Sequence, residues 1–205
     1  MTQTSRTIPG AAIRGTASGM FFMAFFGTLW AYTGILGLQG WGAPLLLVTA
    51  VSIGIALFIG GVSLIRATRE LTNQVSKTAL RNGKRTRFWF NIIFATEGLA
   101  IAITVAVSNA TRHPELIPVI IAIIVGVHFL PLATLFQVRL YYFTGILLCL
   151  LAINTWLFVP AKVTLGGHQI NAFMSVVGFG SALILWGTSL AIWLMGRRLL
   201  GIVTK

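Results

Sequence analysis

The chain has 205 residues, of which 57% are hydrophobic and only 9% are charged, and its formal net charge is +12. A soluble domain is about 25% charged, so this composition excludes an ordinary soluble protein and indicates one integral membrane domain. The basic residues flank apolar runs rather than forming a stripe of their own, which argues against a nucleic-acid partner. The three acidic residues are all glutamates, which leaves little material for an enzyme that needs paired carboxylates.

Six apolar runs follow one another along the chain, each close to the roughly 20 residues with which an α-helix crosses a bilayer. They cover residues 19–38, 43–65, 88–107, 116–136, 140–159 and 170–195. They predict an all-α fold, a polytopic integral membrane protein whose six transmembrane helices form three helical hairpins. Residues 19–197 are then one transmembrane domain between an N-terminal tail, 1–18, and a C-terminal tail, 198–205.

Segment 66–87 is the one long connection between the predicted helices, and it is strongly basic. The spacing of apolar residues in its first part lets the second helix continue past the membrane until Asn82-Gly83 ends it. Its cations predict a surface for anionic lipid head groups or for a partner subunit. These cations are Arg66, Arg69, Lys77, Arg81, Lys84, Arg85 and Arg87.

The distribution of basic residues predicts the orientation of the chain. With six helices, both termini, segment 66–87 and the turn 137–139 share one side, and all of the 15 basic residues except Arg112 and Lys162 lie there. Positive residues mark the cytoplasmic side of a membrane protein. Both termini are therefore predicted to be cytoplasmic, in a multi-pass protein of the cell inner membrane.

A weak internal repeat is present in the second helix of each predicted hairpin. Gly54, Gly126 and Gly180 each begin a similar pentapeptide, and a small residue follows seven positions later in each case. Small residues allow helix backbones to approach closely. One interpretation is a pseudo-threefold repeat of three hairpins. The other is that glycine and alanine are simply common in such helices.

Two of the predicted helices carry an ionisable residue near their middle, Glu97 in the third and His128 in the fourth. Counted from the short outer segment 108–115, both lie roughly 18–20 Å deep at 1.5 Å per residue. A charge at this depth is costly, so such groups face the bundle interior and find a partner. Glu97 and His128 are therefore predicted to share one buried site. Thr104 and Ser108 lie on the same helix face as Glu97 and predict a polar stripe toward the outer surface.

Further residues are candidates for the same site. Pro131 removes a helical hydrogen bond to the carbonyl of Val127 and predicts a kink beside His128. Asn154, in the fifth helix, is a candidate for binding a proton or ligand together with the pair. Two interpretations stay open: a functional site, or a structural pair in which replacing Glu97 by leucine would leave His128 unpaired.

Three residues of the outer loops, His113, Glu115 and His168, are weak candidates for a metal site. Two histidines and a carboxylate are a plausible ligand set, but their separation matches no metal-binding spacing, and solvated loop residues are the alternative. No cofactor is predicted, because a membrane haem needs two axial ligands at suitable depth and His128 is the one histidine there. The sequence also lacks the Gly-x-Ser-x-Gly elbow of serine hydrolases.

The run His128-Phe-Leu-Pro131, followed by Tyr141-Tyr142 after a turn, resembles a family of small bacterial integral membrane proteins of unknown function. The resemblance covers residues 118–142. It implies a bacterial inner-membrane origin, and it implies no activity because that family has none established.

The sequence predicts a small transporter or channel whose Glu97–His128 site binds a proton, a cation or a small polar solute. The alternative is a non-catalytic accessory subunit or sensor that docks through segment 66–87. A membrane enzyme acting on a lipid or quinone is a third hypothesis, weakened by the scarcity of reactive groups. The predicted partners are the lipid bilayer and anionic head groups, with a homo-oligomer or a partner subunit compatible with each hypothesis.

Overall fold

The computed structural model of the chain describes residues 10–69 and 77–203, with side chains placed for 19–66, 85–164 and 166–198. Within these ranges the long helices are α1 (Gly10–Gly37), α2 (Ala43–Arg69), α3 (Lys77–Ala110), α4 (Ile117–Phe136), α5 (Leu140–Phe158) and α6 (Ala172–Val203). A 3₁₀ turn, Pro114–Leu116, precedes α4, and two strands, β1 (Lys162–Leu165) and β2 (His168–Asn171), precede α6. All six helices are long and apolar enough to cross a membrane, as predicted.

Segment 66–87, predicted as a loop, is largely helical in its described part. α2 continues to Arg69 and α3 begins at Lys77, while residues 70–76 lie outside the described residues. The prediction that Asn82-Gly83 ends a helix is wrong, because both residues lie inside α3. A glycine inside a helix costs about 1 kcal/mol of stability relative to alanine. The hydrogen bonds of α3, which has 34 residues, offset this cost.

Both predicted tails are partly helical as well. α1 begins at Gly10 and α6 continues to Val203, each inside a predicted tail. The remaining tail residues, 1–9 and 204–205, lie outside the described part of the chain. The predicted bounds follow the apolar runs, whereas the backbone hydrogen bonds of a helix continue past an apolar run wherever the sequence allows it.

The prediction of an all-α fold missed one β-hairpin between α5 and α6. β1 and β2 pair antiparallel, and they are joined by Gly166 (φ 56°) and Gly167 (φ 83°). Two consecutive residues with positive φ form the type of tight turn that matches the twist of a hairpin, and glycine adopts it without strain. The β-branched residues Val163 and Thr164 before a Gly-Gly pair are the signal that was available in the sequence.

This hairpin also shifts the start of the sixth helix. The helix was predicted from residue 170, but Ile170 belongs to β2 and α6 begins at Ala172. The side chain of Asn171 accepts a hydrogen bond from the backbone N–H of Met174 at 3.1 Å. Asparagine is a favoured N-cap because it satisfies an N–H group that the first helical turn leaves without a partner.

α1 and α6 form the centre of the bundle. Within the most apolar 18-residue stretch of each helix, 44% of the residues of α1 and 50% of those of α6 are buried, compared with 11% for α2 and 6% for α3. Gly34 of α1 and Gly178 of α6 lie against each other's helix so closely that a side chain at either position would overlap with the neighbouring backbone. α4 packs on α5, and α3 packs mainly on α4. α2 and α3 are therefore the peripheral helices of the bundle.

The helix ends gather at two opposite ends of the bundle. At one end, Gly37 at the end of α1 contacts Ser175 at the start of α6. At the other end, Gly60 of α2 lies beside Trp193, near the end of α6. The second end carries the exposed basic residues Arg66, Arg85, Arg87, Arg139, Arg197 and Arg198, whereas Arg112 and Lys162 belong to the first. We refer to these as the basic end and the outer end.

Candidate functional site

Glu97 of α3 and His128 of α4 meet in the middle of the bundle. The two helices are joined by only residues 111–116, so they pack as antiparallel neighbours. The Oε1 atom of Glu97 lies 3.3 Å from Nδ1 of His128, and the two side chains are 10% and 12% exposed. The predicted contact between these residues is therefore confirmed.

The hydrogen bonding of His128 determines which of its ring nitrogens carries a proton. Nδ1 lies 2.7 Å from the backbone carbonyl oxygen of Val125. A carbonyl can only accept, so Nδ1 donates and, in a neutral ring, Nε2 is the atom with the free lone pair. Within the described part of the chain, Nε2 forms no hydrogen bond.

The carboxyl group of Glu97 has a close neighbour but no hydrogen bond among the residues that the structure describes. Because the Nδ1–H of His128 is directed at Val125, the 3.3 Å contact with Glu97 is an ion-pair distance rather than a hydrogen bond. Among the residues that the structure describes, none donates a hydrogen bond to this carboxyl. Glu97 is therefore available to bind a proton or an external cation.

His128 does not use the carbonyl of Val127, the acceptor that Pro131 leaves free in α4. The predicted free acceptor was the carbonyl of Val127, but His128 bonds to Val125, two residues further toward the start of the helix. α4 runs without interruption from Ile117 to Phe136, with Pro131 inside it. The histidine would keep its hydrogen bond if Glu97 were replaced, so it would not be left unpaired.

Aromatic rings hold the imidazole in place. The ring of Phe129 lies 4.8 Å from that of His128, centroid to centroid. Phe94 of α3 meets the same imidazole edge-on at 6.2 Å and an interplanar angle of 89°. Edge-to-face contacts of this kind are favourable and directional. The imidazole is therefore oriented by two rings in addition to its backbone hydrogen bond.

A cavity of about 540 Å³ adjoins the pair. Its walls come from α1, α3, α4 and α6, and it extends from Glu97 and His128 at mid-depth to Pro114 and Met174 near the outer end. Aromatic side chains form a large part of its lining: Phe22, Phe26, Trp30, Phe94 and Phe129. We call this space the Glu97 cavity.

A cluster of rings separates the Glu97 cavity from the basic end. Phe22 lies 5.7 Å from Phe90, and Phe90 lies 6.0 Å from Phe136. Tyr141 of α5 lies 6.4 Å from Phe136 and closes the cluster on its far side. The polar pair is thus nearer to open space on the outer side than on the basic side.

Three other predicted site residues do not line the Glu97 cavity. The hydroxyl of Thr104 donates to the carbonyl of Ala100 in its own helix at 2.9 Å, and Ser108 is buried. Asn154 is exposed on α5 and donates to the carbonyl of Leu150 at 2.7 Å. The polar stripe predicted along α3 is not part of the cavity wall, which on its outer side is mostly apolar.

The aromatic wall was missed from the sequence although one signal was present. Phe22, Phe26 and Trp30 recur every fourth residue, which places them on one face of α1. This spacing alone is equally typical of a face packed in a helix bundle. Only the position of α1 relative to Glu97 shows that the face lines a cavity.

The outer candidates form a pair rather than a metal site. Nδ1 of His113 lies 2.9 Å from Oε1 of Glu115, and both residues lie at the surface. This hydrogen bond from His113 lowers the pKa of the Glu115 carboxyl below its ordinary value, and the nearby charge of Lys162 acts in the same direction. His168 is exposed on β2. No group of three metal-ligating side chains occurs among the described residues.

The basic surface predicted for segment 66–87 is described at three positions. Arg66, Arg85 and Arg87 are exposed. The side chains of Arg69, Lys77, Arg81 and Lys84 lie outside the described ones.

Comparison with known proteins adds a family but no activity. The model of a family described as "Family of unknown function (DUF7010)" matches residues 11–188. No curated protein and no solved structure matches the chain. The resemblance of residues 118–142 to small bacterial membrane proteins stays a prediction.

Proposed function

We propose that this chain, which belongs to the DUF7010 family of unknown function, is a small membrane transporter or channel whose Glu97–His128 pair binds a proton, a cation or a small solute. One observation carries the proposal. The Glu97 carboxyl lines a cavity of about 540 Å³ and has no hydrogen bond from the described residues. A carboxyl that served only to join two helices would be expected to donate or accept a hydrogen bond.

The pair has three ways to compensate the charge of Glu97. Its carboxylate can take up a proton, face a protonated His128, or bind a cation from the cavity. Removal from water disfavours both charged side chains, whereas their proximity favours the ion pair. Because these effects oppose each other, a proton or a cation arriving in the cavity is expected to change which form is present.

The proposal includes insertion into a bacterial inner membrane with both termini cytoplasmic. It is supported by six helices of sufficient length and by the concentration of exposed arginines at the basic end. Single cysteines at Lys84 and Lys162, in a Cys149→Ala background, test it with an impermeant thiol reagent on intact cells. Labelling at Lys162 and not at Lys84 is the expected result, and the reverse pattern would contradict the orientation.

The three-hairpin arrangement with a pseudo-threefold repeat also remains a proposal. Gly54 of α2 contacts Thr28 of its hairpin partner, α1, and Gly180 of α6 contacts Leu151 of its partner, α5. Gly126 instead packs against α5, in the next hairpin. Two of the three glycines therefore support equivalent hairpins.

A rival function is supported by the exposure of Arg66, Arg85 and Arg87 at the basic end. An accessory subunit or sensor would use this surface to dock on a partner or on anionic lipid. The two functions differ in which residues matter. Neutralising Arg85 and Arg87 would abolish docking, whereas it would leave ion binding at Glu97 intact.

Charge movement on a solid-supported membrane tests the transporter proposal directly. Proteoliposomes are exposed to pH jumps and then to a panel of amines, amino acids, sugars and alkali salts. We expect a current for the unmodified protein, loss of that current in Glu97→Gln, and an unchanged current in the matched control Glu115→Gln. If neither the pH jump nor any solute separates Glu97→Gln from the unmodified protein, the pair is structural and the proposal fails.

A further inference from the structure

We propose that the Glu97 cavity binds a lipophilic organic cation, an apolar molecule that carries one positive charge, and that its binding displaces one proton from the Glu97–His128 pair. This inference rests on the proposed function, since it names the ligand class of the same site. It follows from the polar groups, the charges and the aromatic rings of the residues that line the cavity.

The cavity offers too few polar groups for a sugar or an amino acid. Beyond Glu97 and His128, the polar groups in its described lining are the indole N–H of Trp30 and the hydroxyl of Thr33, and that hydroxyl donates to the carbonyl of Leu29 at 3.1 Å. A polar solute loses its hydrogen bonds to water on entry and must regain them from the site. A carboxyl, an imidazole and one indole N–H cannot replace the hydration of a sugar or an amino acid.

The cavity is equally unsuited to a metal ion. Zinc is held by three or four protein ligands, and calcium by six to eight oxygens. The lining provides one carboxylate and one imidazole, and no cluster of three metal-ligating residues exists among the described ones.

The charges of the lining favour a cation over an anion. Glu97 is acidic, and none of the described residues that line the cavity is a lysine or an arginine. An anion would face the carboxylate with no fixed positive charge to compensate it. A cation would instead relieve the cost of holding that carboxylate away from water.

The aromatic wall adds an attraction that suits an organic cation in particular. Phe22 and Phe26 of α1 lie 5.8 Å and 6.1 Å from Phe94 of α3, ring to ring, so the three rings stand around the approach to Glu97. Cations within about 6 Å of a ring face are attracted to it, most strongly where water is excluded. The apolar remainder of the ligand would contact the isoleucines and prolines of the outer part of the cavity.

The position of the cavity fits a ligand that reaches it through lipid. α1 and α3 both line the cavity and contact each other through these rings, whereas α1 and α6 pack backbone against backbone at Gly34 and Gly178. Rings can change rotamer without separating the helices. A lipophilic cation dissolved in the bilayer could therefore enter between α1 and α3.

Cation binding and proton binding at Glu97 exclude each other. A neutral Glu97 carboxyl that meets the cation releases its proton to water and keeps a carboxylate beside the cation, so the charge of the site stays balanced. If the pair is instead Glu97 carboxylate with protonated His128, the arriving cation repels the imidazolium, and the proton leaves from the histidine. In both cases one cation enters and one proton leaves, and binding weakens as the pH falls.

Radiolabelled tetraphenylphosphonium tests the inference in lipid nanodiscs, with empty nanodiscs as the background. Its counterpart of similar shape and opposite charge, tetraphenylborate, is the matched probe on the unmodified protein. We expect saturable binding of the cation only, with release of one proton per cation in weakly buffered solution. Glu97→Gln should weaken binding about tenfold or more, Phe94→Leu severalfold, and the lipid-facing control Phe143→Leu not at all.

Equal binding of the two probes, or cation binding that is unchanged in Glu97→Gln, would overturn the inference. The probe comparison needs no variant, so it holds even if a variant fails to fold. Flux of the cation into proteoliposomes then decides the proposed function separately. If cation binding depends on Glu97 but no flux is seen, transport is refuted and the cation site is kept. If a polar solute gives a Glu97-dependent current and the cation does not bind, the cation site is refuted and transport is kept.

Discussion

The protein contains two pairs of the same residue types in opposite surroundings. His113 and Glu115 stand in the outer connection, 2.9 Å apart, and His113 is mostly exposed. His128 and Glu97 stand 3.3 Å apart inside the bundle, where each is about one tenth exposed. The outer pair is hydrogen-bonded, whereas the inner histidine bonds to the backbone and leaves its glutamate beside a cavity.

The difference shows that the surroundings of a Glu–His pair, rather than its residue types, decide what the pair can do. At the surface, water and salt screen the interaction, so such a pair contributes little. Inside the bundle the same charges are poorly solvated, and any change in their protonation alters the energy of the site. The predictions below test this comparison, and the first two, on the inner pair, use the outer pair as their reference.

The largest effect is expected from replacing Glu97 by leucine. Ion binding and pH-dependent charge movement should disappear, because leucine has no ionisable group. The free energy of unfolding should stay within about 1 kcal/mol of that of the unmodified protein, since His128 keeps its bond to Val125 and the carboxyl has no hydrogen bond with the described residues to lose. Melting curves in detergent and charge movement on supported membranes measure the two effects.

Glu115→Leu is the matched control for this substitution and should change neither property appreciably. A fall in melting temperature for Glu97→Leu that far exceeds the fall for Glu115→Leu would show that the inner pair is structural. It would also contradict the absence of a hydrogen bond from the described residues to Glu97.

Replacing His128 by glutamine is expected to have the next largest effect. Charge movement should decrease severalfold but remain dependent on Glu97, because glutamine keeps a polar group near the carboxyl but cannot be protonated. The substitution His113→Gln in the outer connection should leave the current unchanged. A current that vanishes in His128→Gln would mean that the histidine, rather than Glu97, carries the transported proton.

The helices and the inner pair could be predicted from the sequence because each depends on local information. A run of apolar residues sets the length of a helix, and counting from a short connection gives the depths of Glu97 and His128. Rotation of one helix against another is not local. The role of the α1 rings, and the exclusion of Thr104 and Ser108 from the cavity wall, depend on how α1 and α3 face each other.

The remaining errors arise where short-range signals compete. Asn82-Gly83 is typical of a helix end. The cost of about 1 kcal/mol for a glycine inside a helix is nevertheless small compared with the stabilisation from the hydrogen bonds that continue α3. Gly166-Gly167 is just as typical of a turn, and there the residues on both sides favour strands. A family description without a known activity could not have corrected either prediction.

Pro131→Ala should have a smaller effect, and on stability alone. Alanine restores the N–H that can bond to the carbonyl of Val127, so α4 should become more stable by about 1–3 kcal/mol. Binding at Glu97 should not change, because His128 is held by Val125. If the melting temperature rises while charge movement is lost, the proline shapes the site after all.

The smallest effect is expected in the outer pair, from His113→Ala. In the folded protein the pKa of Glu115 is lowered, chiefly by the hydrogen bond from His113. A lowered carboxyl pKa contributes stability above the pKa of the unfolded chain, about 4.3 for glutamate, and this contribution is lost as the pH falls through the lower, folded-state value. The variant should therefore melt slightly earlier than the unmodified protein at pH 6, and the difference should shrink as the pH falls below the pKa of the unfolded chain. High salt should reduce the difference at pH 6, and a difference that did not shrink on acidification would show that His113 acts through packing rather than through Glu115.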